Sequence, residues 1–140
     1  MSWFEITEAF IPWINKKTGQ RFSLPNLQQW QQLSGHIRSF EEIHCKDCTS
    51  HLAQLYANGT MPIHALSANK IGLYGVYGNV QEWLQDCWKA DGFERCDQAI
   101  VAGGSWIDNY YTIKQAPVSQ LLKRAATPTT GFRLVMELDE

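Results

Sequence analysis

Basic runs are absent from this chain: 12 Lys and Arg stand against 14 Asp and Glu, for a net charge of −2. The electrostatic footprint of a nucleic-acid binder is therefore missing, and no nucleic-acid partner is expected. Long apolar stretches are missing too, since none approaches the roughly 20 residues that a membrane span requires. The N-terminus, MSWFEITEAF, has neither a basic leader nor a long apolar segment, so it is not a secretion signal. That favours the cytoplasm for the chain as it stands. Cysteine is absent after Cys96.

What is present is a core-forming composition. The 140 residues suit one domain, and 44% of them are hydrophobic. Six Trp, five Tyr and six Phe accompany ten Gly. That mixture points to a core built from loops turning sharply around large side chains.

Ser2 and Glu5 have the spacing of a capping box. Trp3, Ile6, Phe10, Trp13 and Ile14 then place one apolar face on a helix ending near Lys17, with Gly19 reversing the chain. Pro12 predicts a kink, because a mid-helix proline costs about 3 kcal/mol. Residues 20–24 read as a short extended piece. Asn26 caps a second helix with Leu27, Trp30 and Leu33 inward and Ser34-Gly35 at its end. Residues 36–68 read mostly as loop, with a turn of helix near residues 51–56. Glycines 72, 75 and 78 cluster next. VQEWLQDCW is expected to be a short helix or an extended turn, with Val80, Trp83, Leu84 and Trp88 inward. Residues 99–102 form a strand candidate leading to Gly103-Gly104, and residues 131–138 read as a closing strand.

Five segments occur in an order that resembles the formylglycine-generating (sulfatase-modifying factor) family. They are MSWFEITEAFIPWI, TGQRFSLPNLQQW, GLYGVYGNVQEWLQDCW, VAGGSW and GFRLV. Together they span residues 2–135. The resemblance implies an α+β fold, a C-type-lectin-like variant with two helices, short twisted strands and much ordered coil. It also implies a single, partial family domain over residues 1–140, either the C-terminal part of a family domain in a larger bacterial protein or a shortened form that covers its open core another way. Gly78 and Asn79 are expected in a tight turn, with the Asn79 side chain bonding neighbouring backbone groups. Trp83 and Trp106 are expected in the core, and Arg133 is expected to tie carbonyls together.

Family enzymes oxidise a substrate cysteine to formylglycine with two copper-binding thiolates shortly after GGS. Carried over by position, those sites fall on Asp108 and Ile113, and neither side chain is the soft ligand that Cu(I) requires. Ala102 stands where the family opens RGGSW with arginine. Lys114 stands at a second family arginine and lacks the planar fork. The resemblance thus implies a catalytically degenerate member, a pseudoenzyme, with no copper expected.

The family's GNVxEW turn implies a calcium site, here from the carboxylate of Glu82 and the carbonyls of Gly78 and Val80. Gly75 replaces one family side-chain ligand. Against calcium stands the reading that Glu82 simply accepts backbone hydrogen bonds. Cys45, Cys48, Cys87 and Cys96 allow disulfides, Cys87–Cys96 among them, a four-thiolate zinc site, or a redox CxxC flanked by His44 and His51, in that order of preference.

Function is expected on the loop after GGSW. Trp106, Asp108, Asn109, Tyr110 and Tyr111 form a candidate surface for a protein or peptide partner. The blander reading makes one tyrosine core and the other merely exposed. Competing readings are a formylglycine-type oxidoreductase with displaced ligands, a retroelement-diversified ligand-binding protein, and an accessory domain of a larger signalling or secretion protein.

Overall fold

The structure is a computed structural model that describes residues 1–48, 59–90 and 92–138. The helical turn expected near residues 51–56 lies outside them.

The first helix, α1, is composite. It is α-helical over Trp3–Glu5, π-helical over Ile6–Phe10 and α-helical again over Ile11–Thr18. Ser2 and Glu5 make the capping box: Ser2 Oγ accepts from Glu5 N at 3.1 Å and Glu5 Oε2 from Ser2 N at 2.6 Å. Gly19 ends the helix in the left-handed region at φ 72°. The π stretch is how the chain absorbs Pro12: the Ile11 amide reaches back to the Ile6 carbonyl, and proline enters the first turn of the resumed α-helix, where its missing N–H matters least. The wider π turn also shifts the helical wheel by about one residue. Ile6 is fully buried and Ile11 and Ile14 are partly covered, but Trp13, expected inward, is 52% exposed with Lys17 Nζ 4.9 Å from its ring centroid.

Strand β1 is Arg21–Ser23. Helix α2 spans Leu27–Ser34 with a reciprocal cap between Asn26 and Gln29, and it buries Trp30. Strand β2 is Gln81–Ala90 and β3 is Phe93–Ala102. The helical alternative for VQEWLQDCW is thereby corrected. Adjacent residues Trp83 and Leu84 are both fully buried because this sheet is covered on both faces. Trp83 packs with Ile6, Leu24, Ala99 and Val101, whereas Leu84 packs with Trp30, Ile100, Ala102 and Ile113. A strand buried on both sides shows no alternation for the sequence to display.

A short helix, α3 (Tyr110–Ile113), and strands β4 (Val118–Leu122), β5 (Thr130–Gly131) and β6 (Val135–Glu137) follow. The main sheet has order β4-β3-β2-β5, and β1 pairs with β6 in a second, two-stranded sheet. The single closing strand expected over residues 131–138 is two pieces. Gly131 sits beside Glu82 in the main sheet, and Val135 beside Ser23 in the small one, so the chain between them crosses from one sheet to the other.

The N-terminal segment is stitched to β2. Trp83 Nε1 donates to the Met1 carbonyl at 3.2 Å, and Trp3 Nε1 to the Leu84 carbonyl at 3.0 Å. No helix among the described residues is long and apolar enough to cross a membrane.

Candidate functional site

Strand β3 delivers the chain into Gly103 and Gly104, with φ of 97° and 70°. A Cβ at Gly103 would lie 2.5 Å from the Val76 carbonyl oxygen and 3.1 Å from the Trp30 ring, so only glycine lets the backbone pass. The Gly78 amide donates to the Gly103 carbonyl, and Trp106 N to the Asn79 carbonyl. These bonds lock the GGSW turn against the Gly78-Asn79 turn. Both residues of that turn have positive φ, 74° and 59°. The Asn79 side chain does not serve neighbouring groups as expected. It reaches back to Met61, taking its amide at 3.0 Å and giving to its carbonyl at 3.1 Å.

The loop after Gly104 is held from within. Asp108 Oδ2 accepts from Ser105 N at 2.8 Å, and Asn109 caps α3 by accepting from Thr112 N at 3.0 Å. Lys46 N donates to the Asp108 carbonyl, tying the loop to the Cys45–Cys48 segment. Ile113 is fully buried in the main core cluster. The side chains at 108 and 113 converge over Gly104: a Cβ there would meet Ile113 Cγ1 at 3.0 Å and Asp108 Oδ2 at 3.3 Å. One position is thus spent on a turn and the other on the core.

The five expected contact residues divide. Tyr111 is 69% exposed and Asn109 is exposed as well. Tyr110 is partly buried, its ring 4.8 Å from that of Phe40. Trp106, expected in the core, is only half-covered and turns its Nε1 toward the Pro128 carbonyl. Phe40, Asp47, Cys48, Asn109, Tyr110 and Tyr111 line a cleft of about 430 Å³. Phe40 and Asp47 were not legible as site residues, because they lie in a stretch without periodicity. Lys114 sits over the Tyr111 ring at 5.0 Å.

The calcium expectation meets a different arrangement. Glu82 is 3% exposed, and both of its carboxylate oxygens are engaged by Arg133. Trp30 Nε1 adds a third bond at 3.2 Å, and Arg133 Nη2 also reaches the Tyr74 carbonyl at 2.8 Å. Burial pushes the Glu82 carboxyl above its ordinary 4.5, against the opposing pull of Arg133 and Trp30. A cation at Glu82 would have to displace a guanidinium already seated there, so the Gly78, Val80 and Glu82 set does not fit calcium. Arg133 ties a carboxylate and one carbonyl, rather than carbonyls alone.

The four-cysteine zinc set does not assemble either. The cysteines form two disulfide pairs, Cys45–Cys48 and Cys87–Cys96, with Cα separations of 5.4 and 4.8 Å. Cys87 lies on β2 and Cys96 on β3. Among the described residues, the one cluster of three metal-donor side chains is Cys87, Glu94 and Cys96.

These features define a C-type-lectin-like α+β frame with a glycine-gated loop above its sheet. A family model described as the sulfatase-modifying factor enzyme 1-like domain matches residues 1–138, and the chain belongs to that family. It is 23% identical over 95% of its length to the serine/threonine-protein kinase pkn1 of Chlamydia caviae, of which the match covers 23%. It is 54% identical over 33 residues to the formylglycine-generating enzyme of Thermomonospora curvata, a match covering 24% of this chain and 11% of that enzyme. The chain thus spans less than a quarter of these relatives. Among solved structures, PvdO from Pseudomonas aeruginosa superposes with a TM-score of 0.79 at 18% identity, covering 99% of this chain and 60% of that one.

Proposed function

We propose that this domain is a non-catalytic recognition or accessory module that binds a protein or peptide partner through the loop after GGSW. The observation that carries the reading is the use of residues 108 and 113. Asp108 is consumed by Ser105, and Ile113 is buried in the core, so neither position offers a soft ligand. The same internal bonds hold Tyr111 outward on a braced turn, a large amphipathic side chain at little entropic cost on binding. Phe40 and Tyr110 form the wall of the adjoining cleft.

Two assays test the reading. Copper-loaded protein is incubated with a CxPxR-type cysteine peptide and probed for aldehyde; none is expected, and aldehyde formation would sink the proposal. A photo-crosslinking amino acid at position 111 is expected to capture a partner polypeptide. An equal yield of adducts from a crosslinker at exposed Trp13 would count against a dedicated surface.

A further inference from the structure

The β2–β3 hairpin carries a sulfur pair with Lys123 against Cys87 and Glu94 against Cys96, the sulfurs and the Glu94 carboxylate all lying within 4.8 Å of one another. Cys87 Sγ lies 3.6 Å from Lys123 Nζ. Lys123 is 8% exposed, and among the described residues no carboxylate pairs with it. Its ammonium rests instead on the Trp3 ring, 4.1 Å from the centroid. Cys96 is exposed, and its Sγ lies 3.0 Å from Glu94 Oε1. The charged groups lining the cleft beside Cys87 are Asp86 and Lys89 from β2 and Glu94 from β3, with Lys89 Nζ 3.9 Å from Glu94, and the Asp97 carbonyl takes the Lys123 amide.

We propose that Cys96 is a thiol-exchange site at which a low-molecular-weight thiol forms a mixed disulfide, with Cys87 leaving as a thiolate held by Lys123. The incoming thiol loses its proton to water and attacks Cys96 Sγ. The new sulfur–sulfur bond forms as the Cys87–Cys96 bond breaks, and its electron pair passes to Cys87. A second thiolate attacking the small-molecule sulfur releases Cys96, which takes a proton from water. The small thiols leave as their own disulfide, and the protein pair is reduced by two electrons. Attack by Cys87 on the mixed disulfide reverses the first step.

Three physical reasons set this direction. Exchange runs through the accessible sulfur and expels the thiol of lower pKa. A cation beside a cysteine lowers its thiol from about 8.5 into the range of about 3.5–7.5. Glu94 beside Cys96 does the reverse, disfavouring negative charge on that sulfur. Cys45 and Cys48 are each 3% exposed, so the folded protein shields the other pair from the same reagent.

The test begins with the wild-type oxidised protein, treated with glutathione at pH 7, quenched in acid and mapped by peptide mass. The adduct is expected on Cys96 with Cys87 free; an adduct on Cys87 overturns the proposal. The reduced, folded protein is then alkylated with iodoacetamide. In Lys123→Met the Cys87 rate is expected to fall about five- to tenfold at pH 7, while Lys123→Arg keeps it. Equal rates in wild type and Lys123→Met also overturn it. If Lys123→Met does not fold, the glutathione map still decides.

Discussion

Arg133 meets Glu82 through two parallel bonds, Nε to Oε1 and Nη2 to Oε2, both 2.9 Å long. The pair joins the GFRL segment to β2, and Trp30 of α2 completes it. Three parts of the sequence signature, EW, GFR and the helical tryptophan, therefore meet at one carboxylate. The guanidinium side chain is 22% exposed and the carboxylate 4%. Breaking such a pair leaves a buried charge uncompensated, which costs about 3–5 kcal/mol.

Arg133→Met is accordingly expected to destabilise the domain by about 3 kcal/mol or more in urea unfolding. Arg133→Lys should recover little, because an ammonium cannot span both oxygens. The double variant Glu82→Gln, Arg133→Met should lose less than the sum of the single losses, since it removes both charges together. Full additivity would show that the two residues act separately.

Two carboxylates give opposite pH dependence. Burial raises the Glu82 carboxyl above 4.5, so the folded state holds its proton longer than the unfolded chain does. The Glu82 contribution then declines as pH rises through the window above 4.5. Glu5 is lowered, first by its hydrogen bond from the Ser2 backbone. Its contribution is present above 4.5 and is lost as pH falls through the lower folded value. Stability measured from pH 3 to 7 should therefore lose its Glu82 slope in Glu82→Gln and part of its acid limb in Glu5→Gln.

The first helix shows how far a periodic pattern carries. Its start, its capping box and its glycine stop were legible, because each rests on bonds between residues a few positions apart. The inward face was legible only up to the π stretch. Beyond residue 10 the wheel is rotated, and Trp13 points to solvent. Likewise β2 was illegible as a strand because Trp83 and Leu84 are both buried, on opposite faces. The seating of Glu82 on Arg133 was hidden by their sequence separation of 51. Ile6→Ala should cost about 2–5 kcal/mol, whereas Trp13→Lys should change stability by about 1 kcal/mol or less. A large loss in Trp13→Lys would contradict the rotated face.

Gly103 and Gly19 separate crowding from backbone strain. Both have positive φ, 97° and 72°, but a Cβ at Gly19 meets nothing within 4 Å. Gly19→Ala should cost about 1–2 kcal/mol, the strain of a left-handed residue alone. Gly103→Ala adds an overlap with the Val76 carbonyl and should lose distinctly more, about 3 kcal/mol or beyond. Chemical denaturation of both variants against wild type checks the difference; equal losses would mean that the GGSW turn can shift away from Val76.

Tyr111 and Ile113 lie two residues apart on α3 and should respond oppositely to truncation. Ile113 is fully buried against Trp30, Leu84 and Ile100, so Ile113→Ala removes core volume and should cost about 2–5 kcal/mol. Tyr111 is 69% exposed, and its ring contacts are Tyr110 at 6.2 Å and Lys114 at 5.0 Å. Tyr111→Ala should leave unfolding within about 0.5 kcal/mol of wild type. If the loop is a recognition surface, the same variant should lower capture of the crosslinked partner at least tenfold, as truncation of a central aromatic anchor does. A Tyr111→Ala variant that unfolds easily would place the ring in the core and remove the reason to read this turn as a surface built for contact.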